Sequence, residues 1–341
     1  EVSVIKENEG LRELLGIEMT RAERMAVTEV YLHEGFLLGG EAFYSPEGPV
    51  GGVAFTLPWY VVSGESEIYM NGVPEKSDMG TEPVTDAELP AVIWKRNAET
   101  ASVFAVNGDY MEDSAGIGIL SAISAKISPY EIYPVINAQN MIYANYPGLT
   151  NENEEFLMER YSQSSEGIFQ NVVWPEMVAV RRDNRLSLSC MLAPQFDYED
   201  EKEPDGDQFQ RYMKLLNEQS AETGLSGARV FKTPVERKLK KDQEFMQKEL
   251  PTYRFTSFYA DGLTEDEVRS ALDEELLDSV RTVVEDCSDN TEVIGYLSDY
   301  ITRQSALIDG FEDAAQNDFR VRCLETALGY NSVLADLKDI I

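Results

Sequence analysis

Alternating strand-like and helix-like segments are the feature of this sequence that most restricts its fold. The apolar run Ser102–Asn107 is followed by a glycine-containing loop, a helical pattern at 116–127 and a new apolar run at 131–137. A strand, a helix and a second strand in this order predict a βαβ unit, in which the two strands lie parallel. One face of the helix carries the large apolar side chains of Ile117, Leu120, Ile123 and Ile127. The sequence therefore predicts an α/β fold.

The same succession returns in the second half of the chain. The predicted elements are a strand at Leu186–Leu192, a helix at 207–223 ended by Gly224, a strand at 251–260, a helix at 264–286 that opens with a Thr264 capping box, and a last helix at 321–337. At about 150 residues per domain, 341 residues predict two domains. We place them at 1–178 and 179–341, both α/β in class.

The charge of the chain restricts its partners. Sixty-two acidic residues stand against 29 basic ones, which gives a formal net charge of −33, and acids exceed bases in both halves. Affinity for nucleic acid comes mainly from Lys and Arg that neutralise phosphates, so this composition predicts no nucleic acid partner. A cationic partner is electrostatically permitted.

Few residues are available for metal or nucleophile chemistry. The chain has one histidine, His33, and its three cysteines, Cys190, Cys287 and Cys323, are far apart in sequence. Zinc sites and Ser or Cys hydrolases need imidazoles or thiols in set patterns, so we predict no metal ligands. Three buried thiols or one disulfide both fit the cysteine count.

The glycine-rich loop at 107–120 also fails as a cofactor motif. A dinucleotide fingerprint requires a glycine at position 121, which is Ser121. The nearby acids Asp109, Glu112 and Asp113 would repel a pyrophosphate. We therefore predict that the loop packs the helix on a sheet and that the protein has no cofactor.

Seven acidic side chains lie between Asp197 and Asp207, directly after an apolar strand. The spacing does not suit a calcium-binding EF-hand, because Tyr212 stands where the bidentate Glu belongs. Asp197 follows the predicted strand closely, and α/β folds place their sites at such strand ends. It is our candidate catalytic residue, whereas Glu199–Asp207 is predicted to be a solvated loop.

Uncharged amides follow the strand predicted at 131–137. They are Asn137, Gln139, Asn140 and Asn145, and tyrosines lie among them. Amides beside aromatic rings suit sugar hydroxyls, but buried amides also tie down loops. Both interpretations stay open, with Asn137, Gln139 and Asn140 as candidate substrate-binding residues.

Several short motifs resemble an uncharacterised family of extracytoplasmic bacterial proteins associated with Pel-type exopolysaccharide loci. They are "EGFLLGGE" (34–41), "VFAVNGDYM" (103–111), "YPVINAQN" (133–140), "PQFDY" (194–198) and "ETALGYNSVL" (325–334). The resemblance implies a flavodoxin-like or amidotransferase-like first domain. It implies for the second domain a polysaccharide deacetylase-like (β/α) barrel region, complete or incomplete.

Active deacetylases end their first barrel strand in Thr-Phe-Asp-Asp-Gly, and a later His-x-x-x-His completes a metal site. Here "PQFDY" keeps only Phe196 and Asp197 of this motif, and Tyr198 replaces the metal-binding Asp. The later histidines have no counterpart. The resemblance therefore implies a site without the usual metal, in which Gln195, Tyr198, Ser257 and Tyr259 are further candidates for binding substrate.

The resemblance also implies a role. We expect an extracytoplasmic protein, anchored by a segment that this chain does not contain, that binds or handles exopolysaccharide during synthesis or export. Its partners would be a polysaccharide, including a cationic one, and membrane-bound synthase components. Two alternatives stay open: an active carbohydrate deacetylase or glycoside hydrolase that uses Asp197, and a scaffold of a synthase complex.

Overall fold

The computed structural model describes most of the chain and shows a mixed α/β protein. The described residues are 2–46, 54–75, 88–98, 101–128, 138–149, 154–198, 203–229, 233–286, 294–310 and 314–339. The chain divides into two compact units: Glu1–Ala138 with Phe311–Tyr330, and Gln139–Gly310 with Asn331–Ile341. The predicted boundary at 178/179 falls inside a helix of the second unit, in a continuous succession of strands and helices.

The described helices are α1 (Val2–Glu7), α2 (Glu9–Leu15), α3 (Ala115–Ile127), α4 (Glu154–Tyr161), α5 (Ser165–Ile168), α6 (Trp174–Asn184), α7 (Gly206–Glu218), α8 (Val235–Glu249), α9 (Glu265–Leu272) and α10 (Ala314–Leu328). A π-helical turn, Phe169–Val173, joins α5 to α6, and 3₁₀ turns lie at Glu275–Leu277 and Leu337–Asp339.

The described strands are β1 (Ile17–Leu32), β2 (Ala42–Tyr44), β3 (Phe55–Val62), β4 (Glu67–Pro74), β5 (Ala91–Asn97), β6 (Ser102–Val106), β7 (Ala138–Tyr146), β8 (Ser187–Leu192), β9 (Glu222–Ser226), β10 (Ser257–Tyr259), β11 (Thr282–Glu285), β12 (Ile294–Ser298), β13 (Ile301–Ser305), β14 (Ile308–Asp309) and β15 (Tyr330–Asp336).

The first unit is built on an antiparallel sheet. Its described strands follow the order β2-β1-β4-β5-β6, and β3 pairs with β1. The long strand β1 pairs with β3 through its first part and with β2 and β4 through its second. The strand β6 pairs antiparallel with β5. The second strand of the βαβ unit predicted for 102–137, at 131–137, lies outside the described residues, so the parallel pairing of the two strands stays a prediction. An apolar run shows that a strand forms but not its direction.

Helices α3 and α10 pack closely on each other in the first unit. A Cβ atom on Gly118 would lie 2.2 Å from the backbone oxygen of Cys323, so only glycine permits this approach. The buried face of α3 consists mainly of small residues, with Ile119 as its large apolar side chain. The large side chains of Leu120 and Ile127, which the periodicity places on one apolar face, are 57% and 61% exposed.

The second unit is built on a mainly parallel sheet of β–α units. Its described strand order is β12-β13-β11-β10-β9-β8-β7-β15-β14, and neighbouring strands from β7 to β11 follow chain order. The pairs from β7 through β11 to β13 are parallel, and β12 is antiparallel to β13. The α/β class and the repeated strand–helix succession are confirmed for this part of the chain.

One run of chain joins the two ends of this curled sheet. Ile301–Ser305 pairs with β11, and Ile308–Asp309, three residues further on, pairs with β15. One face of the sheet is covered by helices α4 to α9, whose apolar side chains share a core with Leu192, Leu225 and Phe258. The other face has its own apolar layer of Ile142, Ala144, Met191, Tyr259, Val284, Ala306 and Leu334.

Three predicted helices have different bounds in the structure. The helix at 207–223 ends at Glu218, and Gly224 lies in β9, where Met191 and Ser257 leave no room for a side chain. The helix at 264–286 keeps its Thr264 capping box but ends at Leu272. The helix at 321–337 ends before Gly329, which has φ +60°, and the chain continues as β15.

Two cysteines can be placed. Cys190 and Cys323 are free and buried, and burial raises the pKa of both thiols. Cys287 lies outside the described residues.

Candidate functional site

The strands of the second unit end at an edge that gathers polar side chains from several β–α units. In parallel sheets the loops that follow the strands meet at this edge, where α/β proteins place their sites. Four residues here form what we call the strand-end cluster: Asn145 near the end of β7, Asp261 after β10, Asp336 at the end of β15, and Lys338 just beyond it.

Direct contacts connect the strand-end cluster. The Nδ2 atom of Asn145 donates to Asp336 Oδ1 at 2.8 Å and lies 3.2 Å from Asp261 Oδ1. Lys338 Nζ lies 3.0 Å from Asp261 Oδ1 and 3.7 Å from Asp336 Oδ2. Ser226, at the end of β9, donates through Oγ to Asn145 Oδ1 at 2.5 Å, which fixes the orientation of the amide. The cluster thus joins the ends of β7, β9, β10 and β15.

The charged members of the cluster are partly shielded from solvent. The side chains of Asp261, Asp336 and Lys338 are 14%, 17% and 34% exposed. Burial raises the pKa of Asp336 above its ordinary value, and Lys338 and Asn145 counteract this only in part. Burial alone would lower the pKa of Lys338, but the carboxylates of Asp261 and Asp336 outweigh it and raise that pKa. The cluster therefore keeps a charged ammonium group between two carboxylates that are partly shielded from solvent.

Two cluster residues have left-handed backbone conformations. Asn145 has φ 59° and Asp261 has φ 48°. Asn and Asp adopt this conformation more readily than most residues. Such positions concentrate at binding and catalytic sites, where the surrounding structure holds them in place.

A second pair extends the polar edge. The hydroxyl of Tyr259 donates to Asp286, whose other oxygen accepts from the backbone N–H of Gly262 at 2.7 Å. Burial, with this hydrogen bond and the nearby acids, raises the pKa of Tyr259. The pair holds the turn that presents Asp261. Tyr259, a predicted substrate-binding residue, thus lies beside the strand-end cluster.

Asp197 lies in the turn that follows β8, at the same edge of the sheet. The carboxylate of Glu203 accepts the backbone N–H groups of Phe196, Asp197 and Tyr198, the last two at 3.1 Å. Lys241 donates to the backbone oxygen of Asp197 at 3.0 Å. These contacts fix the backbone of the turn, and Asp197 itself is partly exposed.

Glu203 contradicts the prediction that Glu199–Asp207 forms a solvated loop. It is only 6% exposed, and burial raises its pKa, although the three backbone N–H groups act in the opposite direction. Its acceptor role explains the burial, because three N–H donors compensate the carboxylate for lost water. Residues 199–202 lie outside the described part of the chain.

Gln195 and Tyr198 make structural contacts. Gln195 donates through Nε2 to the backbone oxygen of Pro204 at 3.1 Å. The hydroxyl of Tyr198 donates to Asp242 Oδ1, and Asp242 pairs with Lys238 Nζ at 2.7 Å. Lys238 and Asp242 are 1% and 0% exposed. Tyr198 therefore anchors the turn to α8 through a buried ion pair.

The remaining predicted residues lie away from the strand ends or outside the described chain. Ser257 begins β10 and its Oγ lies 3.9 Å from Met191 Sδ. Asn140, near the start of β7, accepts from Ser189 Oγ at 3.2 Å, and Gln139 is exposed beside it. Asn137 lies outside the described residues. His33 is in the first unit, where its Nε2 atom lies 2.7 Å from Asn71 Oδ1.

Sequence reasoning missed Asp261, Asp336 and Lys338. Asp261 ends the segment "FTSFYAD" (255–261), which also contains the predicted residues Ser257 and Tyr259. Asp336 lies within the helix predicted at 321–337 and Lys338 directly follows that helix, so the prediction places neither residue at the end of a strand. The available signal was an acid directly after an apolar, β-branched run, as in "VLADLK" at 333–338.

The donor set of this edge does not fit a resident metal ion. Among the described residues, no group of three or more His, Cys, Asp or Glu side chains could hold a metal. The strand-end cluster offers two carboxylates, but the Asn145 oxygen is bonded to Ser226 and the ammonium of Lys338 lies between the acids.

Comparison with known proteins identifies the family. The chain belongs to the family described as "Uncharacterised protein conserved in bacteria (DUF2194)", whose model matches residues 20–255. The match includes Asn145, Asp197 and Tyr198 and ends before Asp261. No curated protein matches the chain, and neither does any solved structure. None of the described helices is long and apolar enough to span a membrane.

Proposed function

We propose that this protein binds an exopolysaccharide at the strand-end cluster and handles it outside the cytoplasm during synthesis or export. The observation that carries the proposal is the convergence of Asn145, Asp261, Asp336 and Lys338 from the ends of three strands, β7, β10 and β15. Carboxylates accept hydrogen bonds from sugar hydroxyls and amines, and the ammonium donates to sugar oxygens. Membrane-bound synthase components are proposed as further partners.

The charge supports a cationic glycan as the ligand. A partly deacetylated amino-sugar polymer carries ammonium groups, which a net charge of −33 attracts. The acids near the cluster, Asp261, Asp286 and Asp336, outnumber its one lysine. A bound ammonium would find a carboxylate partner here.

The second unit has features that support a deacetylase-like barrel without the usual metal. The strand order follows the chain from β7 to β11, and one run of chain pairs both with β11 and with β15, the strand beside β7. The strand β10 ends at Tyr259, and the residues that follow it, Ala260-Asp261-Gly262, share their final Asp-Gly with the deacetylase motif. For the first unit a flavodoxin-like or amidotransferase-like fold has no comparable support, because its sheet is antiparallel.

Binding is tested with a soluble, partly deacetylated chitosan oligosaccharide and its fully acetylated counterpart. We expect retention of the cationic oligosaccharide in equilibrium dialysis at 20 mM salt, and roughly tenfold weaker binding at 200 mM because exposed charges are screened. Asp261→Asn and Asp336→Asn should each weaken binding about tenfold or more.

Asp299→Asn is the matched control. Asp299 is exposed in the turn between β12 and β13, so the change removes the same charge at the beginning of the parallel strand β13 and not at a strand end. Absence of retention at low salt would refute the proposal. Equal losses of affinity in Asp299→Asn and Asp261→Asn would show that binding depends on the overall charge alone, and this result would also refute the proposed site.

Hydrolysis of a glycosidic bond is a second candidate function. The carboxylates of Asp261 and Asp336 contact the same Asn145 Nδ2 atom at 3.2 Å and 2.7 Å, so their nearest oxygens are at most about 6 Å apart. This limit includes the separation of about 5 to 5.5 Å between the carboxyl groups of retaining glycosidases. The raised pKa of Asp336 suits a proton donor. Asp197, in the neighbouring turn, stays the alternative catalytic residue for a hydrolase or a deacetylase.

An oligosaccharide panel separates these roles. New reducing ends that disappear in Asp336→Asn but persist in Asp197→Asn would assign hydrolysis to the cluster, whereas the reverse result would assign it to Asp197. Binding without any product from natural or acetylated substrates would leave glycan binding as the function and remove hydrolysis.

A further inference from the structure

The ammonium of Lys338 occupies the space between two carboxylates that come from different strands. Its Nζ atom lies 3.0 Å from Asp261 Oδ1 and 3.7 Å from Asp336 Oδ2. The backbone N–H of Lys338 also donates to Asp336 Oδ1 at 2.9 Å, which fixes the turn after β15. The Lys338 side chain thus reaches back to the strand ends, while its backbone N–H is bonded to Asp336, one of the two acids.

The two acids would repel each other without this cation. Both are largely shielded from water, and both contact the Asn145 amide group. Like charges at this separation are destabilising unless a positive charge lies between them. The carboxylates raise the pKa of Lys338 despite its burial, so the lysine keeps its charge.

Two carboxylates and an amide are otherwise typical ligands of a hard divalent cation. Mg²⁺, Mn²⁺ and Ca²⁺ prefer carboxylate and carbonyl oxygens. Here the amide presents its nitrogen to the acids, because its oxygen accepts from the buried hydroxyl of Ser226. A metal would have to displace the ammonium and reverse the amide, and both groups are held by hydrogen bonds.

We propose that Lys338 is a covalently attached cation that takes the place of a divalent metal ion at the strand-end cluster and excludes metals from it. The lysine thereby determines which ligands the site accepts. These are groups that pair with partly neutralised carboxylates, such as sugar hydroxyls and amines, and not metal-bound water. This inference does not rest on glycan binding, because metal binding is measured without glycan.

The proposal is tested by titrating Mn²⁺ into the whole chain and following binding by electron paramagnetic resonance and by calorimetry. The wild type should show only weak binding, shared by many exposed acids. Lys338→Ala should gain one stoichiometric Mn²⁺ site at least tenfold tighter than any site of the wild type. Adding Asp336→Asn to Lys338→Ala should remove that site.

Lys214→Ala is the control, since Lys214 lies 4.0 Å from Glu218 on an exposed helix face and its loss changes the net charge equally. It should gain no tight site. If Lys338→Ala does not fold without metal, Lys338→Met retains most of the side-chain volume and is titrated in its place.

Two outcomes would overturn the proposal. One is a tight, stoichiometric Mn²⁺ site in the wild type that Asp336→Asn abolishes. The other is a folded Lys338→Ala or Lys338→Met protein, verified by circular dichroism, that binds Mn²⁺ no better than the wild type. Neither result depends on whether the protein binds glycans, so the two proposals fail independently.

Discussion

Replacing Lys238 by methionine should destabilise the second unit strongly. Lys238 Nζ pairs with both oxygens of Asp242 at 2.7 and 2.8 Å, and both residues are almost completely buried. Removing one partner of a buried ion pair leaves an uncompensated charge, which costs about 3–5 kcal/mol. Tyr198 still donates to Asp242 in the variant, and methionine fills the space of the lysine stem. We therefore expect a loss near the lower end, about 3 kcal/mol.

The assay has to report on the second unit alone. Of the three tryptophans, Trp174 lies in the second unit, where its ring is 6.2 Å from that of Tyr146. A Trp59→Phe/Trp94→Phe background therefore makes urea unfolding followed by fluorescence specific for this unit. A loss of about 3 kcal/mol corresponds to a decrease in Tm of about 6–12 °C for a domain of this size.

Acid should partly restore the variant. Burial raises the pKa of Asp242, while Lys238 and Tyr198 act in the opposite direction. Without Lys238 the pKa rises further, so the folded variant favours protonated Asp242. A carboxyl group with a higher pKa in the folded state contributes stability below its unfolded pKa, and this contribution is lost as the pH rises through its folded pKa. The deficit of Lys238→Met should therefore shrink as the pH falls.

The double variant Lys238→Met/Asp242→Leu removes both charges and should recover most of the lost stability. Lys214→Met, at an exposed pair, should change little. A loss below about 1 kcal/mol in Lys238→Met, or a double variant less stable than the single one, would refute the assignment of a buried, tightly coupled pair.

Three further changes test other parts of the structure. Gly118→Ala should destabilise the first unit, because its Cβ would lie 2.2 Å from the backbone oxygen of Cys323. Gly10→Ala should stabilise its helix, because its Cβ would meet nothing closer than 3.6 Å. Thermal unfolding distinguishes the two variants. Thr264→Ala removes a capping box and should cost about 1 kcal/mol in urea unfolding of the second unit. Burial raises the pKa of Glu203 in the folded protein. The stability of the wild type relative to Glu203→Gln should therefore decrease as the pH rises through that raised pKa. A stability difference that is independent of pH would contradict the burial of this carboxylate.

Local signals in the sequence predicted much of the second unit. The apolar run at β8, the capping box at Thr264 and the succession of strands and helices all follow from patterns within a few residues. They predicted the α/β class and the edge at which polar groups gather. Periodicity failed for α3, because glycine and alanine on a helix face mark close helix packing as readily as large residues mark a core.

The candidate site depends on information that lies far apart in the sequence. Asn145 and Asp336 are neighbours only because β15 pairs beside β7, and no local pattern shows this pairing. Asp197 was accessible to sequence reasoning because it follows a long apolar strand. Asp336 was not, because only one glycine, Gly329, separates its strand from the preceding helix α10.

The division of the chain into units has a consequence for its synthesis. The first unit needs Phe311–Tyr330, which includes α10, and the second needs Asn331–Ile341, which includes most of β15. Domains generally fold in order as they leave the ribosome, the N-terminal one first. Here the first unit is completed only when α10 has been translated, and α10 follows almost all of the second unit in the sequence. Both units therefore reach their final state only after residue 330 has emerged, and until then β1 to β6 stay without the helix that completes their core.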